Sequence, residues 1–264
     1  MRIIVCIKQV PDTEHLGEVR INPDTNTLMR EGIPSIINPF DSNAIEEGLR
    51  IKERMGGEVI VITMGPPQAE KALRDSLAMG ADRAILITDR KLAGSDTLAT
   101  SLTLAQAIRK IGEYELILFG KQAIDGDTAQ VGPEVSELLG IPLITFARKI
   151  EVEDGKVKVE RTLEEGYEAV EAELPCAITV TKEINEPRFA SMRGILKAKK
   201  AEIIKWGVEE LGLEEGEVGL KGSPTQVVKV FSPPPRPKGE IITGETVEEK
   251  VEKLLSRLRK HQII

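Results

Sequence analysis

A glycine-bearing loop in the middle of the chain has the residue types of a nucleotide-binding corner. Residues 120–133 follow a short apolar run at 115–119 and precede a helical pattern at 134–140. Glycine lets the backbone turn tightly and approach a ligand, and the free N–H groups at the start of a helix bind phosphate. Asp127 or Thr128 can cap that helix, and Asp127 and Gln130 have capping-box spacing. Pro133 also fits as a first helical residue, so the predicted start lies between residues 127 and 133.

The loop matches neither of the two common phosphate-binding motifs. It has no Gly-x-Gly-x-x-Gly, and Gly120-Lys121 does not complete a Gly-x-x-x-x-Gly-Lys-Ser/Thr motif. An ordinary polar connection between a strand and a helix is therefore the alternative. Residues elsewhere in the chain are needed to distinguish a nucleotide-binding loop from an ordinary connection.

Composition limits the classes of function. The chain has 264 residues, 41% of them hydrophobic, which is enough for one α/β domain and a smaller attachment. With 36 basic and 43 acidic residues and 3% aromatics, it has neither the charge nor the stacking side chains of a nucleic-acid binder. The apolar runs have strand length and the amino terminus enters a β pattern at once. We therefore expect no signal peptide, no membrane span and a cytoplasmic protein.

The cysteines and histidines exclude the common metal sites. Cys6 and Cys176 lie in separate apolar stretches, where free thiols are typically buried. Two distant cysteines cannot ligate an iron–sulfur cluster, and His15 and His261 do not complete a plausible zinc site with them. We expect no metal, and any redox cofactor must be organic.

Strand and helix patterns alternate over the first half of the chain. A strand at 2–10 and a small hairpin over 18–30 come first, and Asp41 or Ser42 is expected to cap a helix at 43–54. The alternating segments that follow are a strand at 58–64, a helix at 68–79, a strand at 84–88, a helix at 97–111 and a strand at 115–119. Repeated strand–helix units predict an α/β fold with a doubly wound, mostly parallel sheet.

The second half predicts antiparallel strands added to that sheet. Alternating residues at 146–153 and 156–161 flank the Asp154-Gly155 turn, and the alternation continues over 166–174. An apolar strand follows at 175–181. In a parallel sheet, ligands bind beyond the carboxyl ends of the strands. The polar residues around positions 8, 38–41, 63–66 and 120–122 are therefore expected along one edge.

Two later segments have the pattern of contact surfaces. Residues 185–200 carry Phe189, Met192, Ile195 and Leu196 among basic residues, typical either of an amphipathic helix seated on the core or of a surface for a partner. After a proline-rich spacer at 232–238, a helix at about 246–259 has an apolar stripe. We expect domain 1–231 to bind the nucleotide and 232–264 to dock on another chain. The stripe consists of Val247, Val251, Leu254, Leu255 and Leu258.

Over nearly its full length the chain resembles the small (beta) subunit of electron transfer flavoproteins. The signature of that subunit is matched by Val159, Arg161, Glu164, Gly166, Glu168, Val170, Pro175 and Ala177-Ile178-Thr179, followed by Asn185-Glu186-Pro187-Arg188 and Lys197-Ala198-Lys199-Lys200. The motifs Asn38-Pro39-Phe40 and Gly120-Lys121-Gln122-Ala123-Ile124-Asp125 also stand where the family has them. The resemblance implies a sheet of the adenine-nucleotide-binding type and an electron carrier without catalytic residues of its own. It also implies a larger alpha subunit that holds FAD and receives the carboxyl-terminal arm.

The family correspondence implies a set of nucleotide contacts. They are Cys6, Lys8, Asn38, Pro39, Phe40, Asp41, Val61, Ile62, Thr63, Met64, Gly120, Lys121, Gln122, Ala123, Ile124, Asp125, Gly126, Asp127, Thr128, Ala129, Gln130 and Val131. The partner-docking residues implied are Pro187, Phe189, Met192, Ile195, Leu196 and Lys197. Met192 stands where relatives place a leucine, and a thioether preserves an apolar contact there.

One departure within the loop concerns the cofactor. Ordinary members bind AMP here, whereas residues 125–133 are similar to the electron-bifurcating and nitrogen-fixation-related members, in which a second FAD replaces AMP. Gly126 gives room for a larger ligand, and Thr128 and Gln130 offer hydrogen bonds. The resemblance then implies that NADH donates electrons, which divide between dehydrogenase, quinone or ferredoxin acceptors, with iron–sulfur or quinone-reducing subunits as further partners. A single FAD in the alpha subunit with structural AMP here is the alternative.

Two other classes of protein share this kind of sheet. A stand-alone adenine-nucleotide sensor of the universal-stress type would not explain the added hairpins or the spacer-linked helix. An ATP-cleaving amidotransferase-like enzyme would have a Ser-Gly-Gly-x-Asp-Ser loop after the first strand, where this chain has Lys8-Gln9-Val10-Pro11-Asp12.

Overall fold

The structure is a computed structural model that describes residues 1–12, 14, 20–21, 28–29, 34–229, 231 and 238–264. The chain forms two compact units, Met1–Val228 and Lys229–Ile264. Of the hairpin predicted over 18–30, the described part is an antiparallel pair, in which Arg20 faces Met29 and Ile21 faces Leu28. The rest of that hairpin, and residues 232–237 of the predicted spacer, lie outside the described residues.

The first unit contains strands and helices in alternation. Its strands are β1 (Arg2–Cys6), β2 (Gln9–Pro11), β3 (Arg20–Ile21), β4 (Leu28–Met29), β5 (Ser35–Ile37), β6 (Glu58–Met64), β7 (Arg83–Ile87), β8 (Leu116–Gly120), β9 (Leu143–Glu153), β10 (Lys156–Leu163), β11 (Gly166–Glu173), β12 (Cys176–Val180) and β13 (Ile204–Trp206). Its helices are α1 (Pro39–Met55), α2 (Glu70–Met79), α3 (Thr97–Ile111), α4 (Val131–Leu139), α5 (Met192–Lys200) and α6 (Gly219–Gly222).

Among the described residues, nine strands form one sheet in the order β11-β10-β9-β12-β8-β1-β6-β7-β13. Each neighbouring pair in the series β9-β12-β8-β1-β6-β7-β13 is parallel. Strands β10 and β11 are added beside β9 and pair antiparallel. The predicted α/β fold with a mostly parallel, doubly wound sheet is confirmed, and so are the antiparallel strands. The Cys176–Val180 strand, however, is inserted between β8 and β9 and runs parallel to both.

The two faces of the sheet explain the continuous apolar runs in the parallel strands. Ile3 and Val5 of β1 pack with Leu49 of α1 and Leu73 of α2 on one face. Ile4 and Cys6 point to the other face, where the cluster includes Ile108 of α3 and Val135 of α4. Because helices cover both faces, both sets of strand side chains are buried.

The first strand is shorter than predicted. The apolar run over 2–10 is interrupted after Cys6, and Gln9–Pro11 forms a separate antiparallel pair with Ser35–Ile37. The break puts the Lys8 N–H against the Asp41 carboxylate at 2.7 Å. Local apolarity does not reveal such a distant partner, so the prediction of one strand was wrong.

The edge strand β13 was not predicted, because it has three residues. Ile204–Trp206 pairs in parallel with β7, and the ring of Trp206 lies 5.5 Å from the Lys110 ammonium. Strand β11 forms the other edge of the sheet.

The second unit contains α7 (Val247–Lys260), close to the predicted helix. Thr246 caps it, since its hydroxyl accepts from the Glu249 N–H at 3.2 Å. Within this unit the apolar stripe is uncovered, with Val251, Leu254 and Leu255 at 47%, 44% and 37% exposure. Docking of this helix on another chain stays a prediction.

Candidate functional site

The carboxyl ends of the parallel strands bring the predicted loops to one edge. Strands β6, β1, β8 and β12 are neighbours in parallel pairing, so Met64, Cys6, Gly120 and Val180 end at the same side. Backbone hydrogen bonds join the connections, from Asn38 N–H to the Lys8 carbonyl at 2.9 Å and from Lys121 N–H to the Val180 carbonyl at 2.8 Å. The expected gathering of these loops is confirmed.

Asp41 holds the end of two strands with one buried carboxylate. Its Oδ2 accepts from the Lys8 N–H at 2.7 Å and its Oδ1 from the Gly120 N–H at 3.2 Å. Gly120 has no room for a side chain, because a Cβ there would lie 2.2 Å from Asp41 Oδ1. Burial raises the pKa of Asp41 to about 7, against the lowering effect of hydrogen bonds from Asn38, Lys8 and Gly120.

The same contacts correct the predicted start of the first helix. Helix α1 begins at Pro39 with Asn38 as its capping position, and no side chain caps it. The prediction of Asp41 or Ser42 as the cap of a helix at 43–54 was wrong, because both residues lie inside the first turn. The Asp41 carboxylate reaches the Lys8 and Gly120 N–H groups instead. Proline at the first helical residue needs no hydrogen-bond partner for its nitrogen, which explains why the helix starts there.

Asn38 attaches the glycine-bearing loop to α1. Its Nδ2 donates to the Gln122 carbonyl at 2.8 Å, and its Oδ1 accepts from the Ile124 N–H at 3.1 Å. Asn38 is fully buried. One amide side chain thus satisfies two backbone groups of the loop and fixes its path.

Beyond Asp125 the loop has an unusual backbone. Asp127 and Ala129 both have positive φ, 56° and 54°, a conformation uncommon for residues other than glycine. The Asp127 carboxylate accepts a hydrogen bond from the Gln122 side-chain amide. The backbone N–H of Asp127 donates to the Ala123 carbonyl at 2.8 Å. Helix α4 therefore begins at Val131, after Gln130. The predicted capping by Asp127 or Thr128 was wrong.

Lys8 and Asp125 form the charged pair of the site. Their Nζ and Oδ1 atoms are 2.6 Å apart, and the Asp125 side chain is 7% exposed while that of Lys8 is 46% exposed. Gly126 lies beside them, and among the described residues a Cβ there would find only Lys8 Nζ within 4 Å, at 3.9 Å. Room for a larger ligand at Gly126 stays a prediction.

Four of the implied contacts lie on β6, and three have side chains inside the core. Val61, Ile62 and Thr63 are fully buried, and the Thr63 hydroxyl donates to the Ile7 carbonyl at 2.7 Å. Met64, at the strand end, is half-buried. Cys6 is 5% exposed, so it too faces away from solvent. Their nucleotide contacts stay predictions.

Phe146 is a residue of this edge that the sequence did not indicate. Its ring lies 5.1 Å from Lys121 Nζ, its φ is 60°, and its N–H donates to the Thr179 hydroxyl at 3.0 Å. The register between β9 and β12 shifts here. A positive φ usually falls on glycine or asparagine. Because a phenylalanine stands here instead, the sequence contains no signal for the irregularity.

The predicted docking residues divide between the core and the surface. Ile195 packs against the core, whereas Phe189, Met192 and Leu196 are 98%, 76% and 58% exposed. Helix α5 begins only at Met192, where the Ser191 hydroxyl accepts from the Gly194 N–H at 3.0 Å. Pro187 is half-buried and Lys197 is exposed. Packing on the core is thus observed for Ile195, whereas Phe189, Met192 and Leu196 leave apolar side chains exposed to solvent.

Comparison with known proteins identifies the family. The electron transfer flavoprotein domain matches residues 25–211. The chain belongs to the electron transfer flavoprotein family. It is 52% identical over 265 residues to the caffeyl-CoA reductase-Etf complex subunit CarD of Acetobacterium woodii, with all of both chains covered.

Two further relatives are similar over all or nearly all of their length. The electron transfer flavoprotein subunit beta of Thermoanaerobacterium thermosaccharolyticum is 52% identical with 100% of both chains covered. Protein FixA of Bradyrhizobium diazoefficiens is 47% identical, covering 98% of this chain and 91% of that protein. The chain is thus an electron transfer flavoprotein beta subunit and functions in electron transfer.

The family is flavoprotein-associated. No helix in the described part of the chain is long and apolar enough to cross a bilayer.

Proposed function

We propose that this beta subunit binds an FAD of its own at the strand-end site, in a heterodimer whose alpha subunit binds a second FAD. The observation that supports FAD over AMP is the loop at Asp125-Gly126-Asp127. Gly126 is exposed and borders open space beside the Lys8 ammonium. A dinucleotide needs room beyond a single nucleotide at this point, and the loop provides it.

The residues present fit a diphosphate ligand. Lys8 supplies a half-exposed ammonium, and the first turn of the nine-residue helix α4 follows the loop with its backbone N–H groups. Thr128 and Gln130 are exposed and carry donors and acceptors for ribityl or phosphate oxygens. Asn38 and Asp41 are already engaged with the backbone, so they would shape the site rather than contact the ligand.

The chain's own contribution is binding and orientation. A bound FAD would supply two-electron acceptance and one-electron release, which the side chains here cannot provide. Asn38 holds the loop, Asp41 holds the strand ends, and the apolar strand ends exclude water beneath the ligand. With NADH as donor, this site would be the entry point for electrons that leave toward a dehydrogenase, quinone or ferredoxin.

The partners proposed are an alpha subunit and an electron-exchanging protein. The uncovered stripe of α7 supports docking of residues 232–264 on the alpha subunit, since such a stripe is rarely left in water. Phe189, Met192 and Leu196 support docking of a protein donor or acceptor at α5. Iron–sulfur or quinone-reducing subunits would belong to a larger assembly.

Nucleotide content tests the cofactor proposal. The heterodimer, produced with its alpha chain, is denatured and its FAD and AMP are counted per complex. Two FAD and no AMP are expected. One FAD with one AMP would overturn the proposal and make this an ordinary carrier with a structural nucleotide.

A paired substitution locates the ligand. Gly126→Val fills the space beside Lys8 and is expected to remove one FAD per complex, while Gly216→Val, at a glycine with no neighbour within 4 Å of a Cβ, keeps both. Retention of both flavins by the Gly126→Val heterodimer would place the second FAD elsewhere.

A further inference from the structure

The short segment at residues 185–188 is attached to helix α1 by hydrogen bonds and ion pairs. Arg188 donates from Nε to Glu46 Oε2 at 2.7 Å, and from Nη1 and Nη2 to the Glu53 carboxylate at 2.5 and 3.1 Å. Its backbone N–H also donates to Glu46 Oε2 at 3.2 Å. Both the side chain and the backbone of Arg188 are therefore held by α1.

The carboxylate that receives most of these bonds is inside the protein. Glu46 is 3% exposed and also accepts from Arg50 Nε at 2.7 Å. Burial raises the pKa of Glu46, but hydrogen bonds from Arg188 and Arg50 outweigh it, so the pKa lies below its usual value. Loss of the arginine partner would leave the charge of Glu46 buried without compensation, which destabilises the folded protein. The position of Arg188 against α1 is therefore strongly favoured over other positions.

A pair of asparagines adds a second attachment one turn earlier on α1. Asn43 Nδ2 donates to the Asn185 carbonyl at 2.8 Å, and Asn185 Nδ2 donates back to the Asn43 carbonyl at 3.0 Å. Asn185 also donates to Glu47 Oε2 at 3.1 Å. Asn43 and Glu47 are buried and Asn185 is half-buried, so the asparagine pair is partly shielded from water.

The far end of the segment is attached to α2. Gly194 approaches so closely that a Cβ there would lie 2.2 Å from the Ala78 carbonyl oxygen. Arg74 Nη1 donates to the Ala198 carbonyl at 2.8 Å. Between the two attachments lie the exposed side chains of Phe189 and Met192. A loose segment would turn these side chains inward, because burial of apolar surface is favourable.

We propose that Arg188 is a positioning residue for protein docking, which holds the segment from Phe189 to Leu196 with its apolar side chains toward the partner. The bonds to Glu46 and Glu53 keep the segment ordered before the partner arrives, which lowers the entropy loss on docking. Docking at this surface rests on the proposed function. The ordering by Arg188 does not, because it can be measured without a partner.

A nitroxide label next to Arg188 measures that ordering. Both native cysteines of this chain are buried, so a Phe189→Cys substitution gives it a single accessible thiol. The heterodimer is labelled after accessible cysteines of the alpha subunit have been replaced by serine. With Arg188 present, we expect a restricted spectrum. In Arg188→Gln the label is expected to move on a scale of about 1 ns, as in an exposed loop. Arg188→Lys keeps the positive charge but has a single ammonium in place of the forked guanidinium, so it should restore part of the restriction.

Matched variants separate positioning from general stability. Arg193→Gln removes an exposed arginine of the same segment and is expected to leave the spectrum unchanged. A label at Glu173, on strand β11, should be unaffected by Arg188→Gln. If Arg188→Gln gives no heterodimer, the Glu53→Gln variant is used for the same test. The side chain of Glu53 is 55% exposed, so the substitution leaves no buried charge unpaired, and it weakens the two Arg188–Glu53 bonds. If the label at position 189 is as restricted in Arg188→Gln as in the parent protein, the proposal is overturned, whatever the nucleotide content. The same result in Glu53→Gln overturns it where Arg188→Gln gives no heterodimer.

Discussion

The backbone N–H of Lys8 donates to the carboxylate of Asp41 over 2.7 Å, and this bond joins the end of the first strand region to the first turn of α1. The other oxygen of Asp41 accepts from Gly120, on the neighbouring strand. Since burial raises the pKa of Asp41 to about 7, the charge at this junction changes near neutral pH. A single buried acid thereby links the stability of the site to pH.

Asp41 is expected to make the folded unit less stable as the pH rises. Its folded pKa is about 7, and an unfolded aspartate titrates near about 3.9, so the folded state binds the extra proton between these values. The free energy of unfolding should fall by up to ~1.4 kcal/mol per pH unit in this window. Urea unfolding from about pH 5 to pH 8 measures it, and Asp41→Asn should lack this part of the slope. Equal slopes in both proteins would contradict the assignment.

Two glycines of the loop should respond differently to a methyl group. In Gly120→Ala the Cβ would meet Asp41 Oδ1 at 2.2 Å and the Phe40 backbone carbon at 2.7 Å, so we expect a loss of roughly 2–4 kcal/mol in stability. Gly126→Ala meets only Lys8 Nζ, at 3.9 Å, and should unfold like the parent. Thermal unfolding of both proteins compares them, and an equally stable Gly120→Ala would show that the junction is loose.

Removal of the Asn38 side chain should free the loop without unfolding the sheet. Asn38→Ala leaves the Gln122 carbonyl and the Ile124 N–H without their partner, which costs about 1–3 kcal/mol for each buried group. Water that enters the site would recover part of this free energy, so the sheet stays folded while the loop is no longer held. We therefore expect weaker nucleotide retention on gel filtration. Asn38→Asp keeps the acceptor for Ile124 and should be intermediate. Full retention in both would assign the loop's order to other contacts.

The alternation of strands and helices could be predicted, whereas the junctions between them could not. Apolar runs and turn residues are local signals, and they gave the helix at Thr97–Ile111 to the residue. The end of β1 depends on Asp41, and the start of α4 depends on the positive φ of Asp127 and Ala129. These are set by contacts across the fold, which no local pattern contains. For the same reason Phe146 was missed.

Neither thiol should react in the folded protein. Burial raises the pKa of Cys176 to about 12, and burial together with the nearby Asp41 carboxylate raises that of Cys6 well above its usual value. Thiolate, the reactive form, is therefore scarce at both positions. Labelling with a disulfide reagent at neutral pH should be near zero before unfolding and complete afterwards. Rapid labelling of either cysteine in the folded heterodimer would show that its strand opens.

The apolar stripe of α7 should be needed for association with the alpha subunit. Leu254→Asp places a charge on this stripe and is expected to weaken association at least tenfold (about 1.4 kcal/mol per factor of ten), since burial of an unpaired carboxylate at an interface is costly. Lys250→Asp changes a residue outside the stripe and serves as the control. Sedimentation of mixed subunits gives both affinities. Unchanged association of Leu254→Asp would assign the interface to other residues.

The two edges of the large sheet bear on the behaviour of the protein at high concentration. At one side β13 is only three residues long, too short to template a strand from another molecule. At the other side, β11 exposes Glu168, Glu171 and Glu173 along its length. Glu168 pairs with Arg161 and Glu171 pairs with Lys156, both on β10, so these charges are partly balanced within the chain. A second copy adding its own β11 there would have to accommodate these charged pairs and the exposed Glu173. The short β13 and the charged β11 therefore both disfavour pairing of this sheet with the sheet of a second copy.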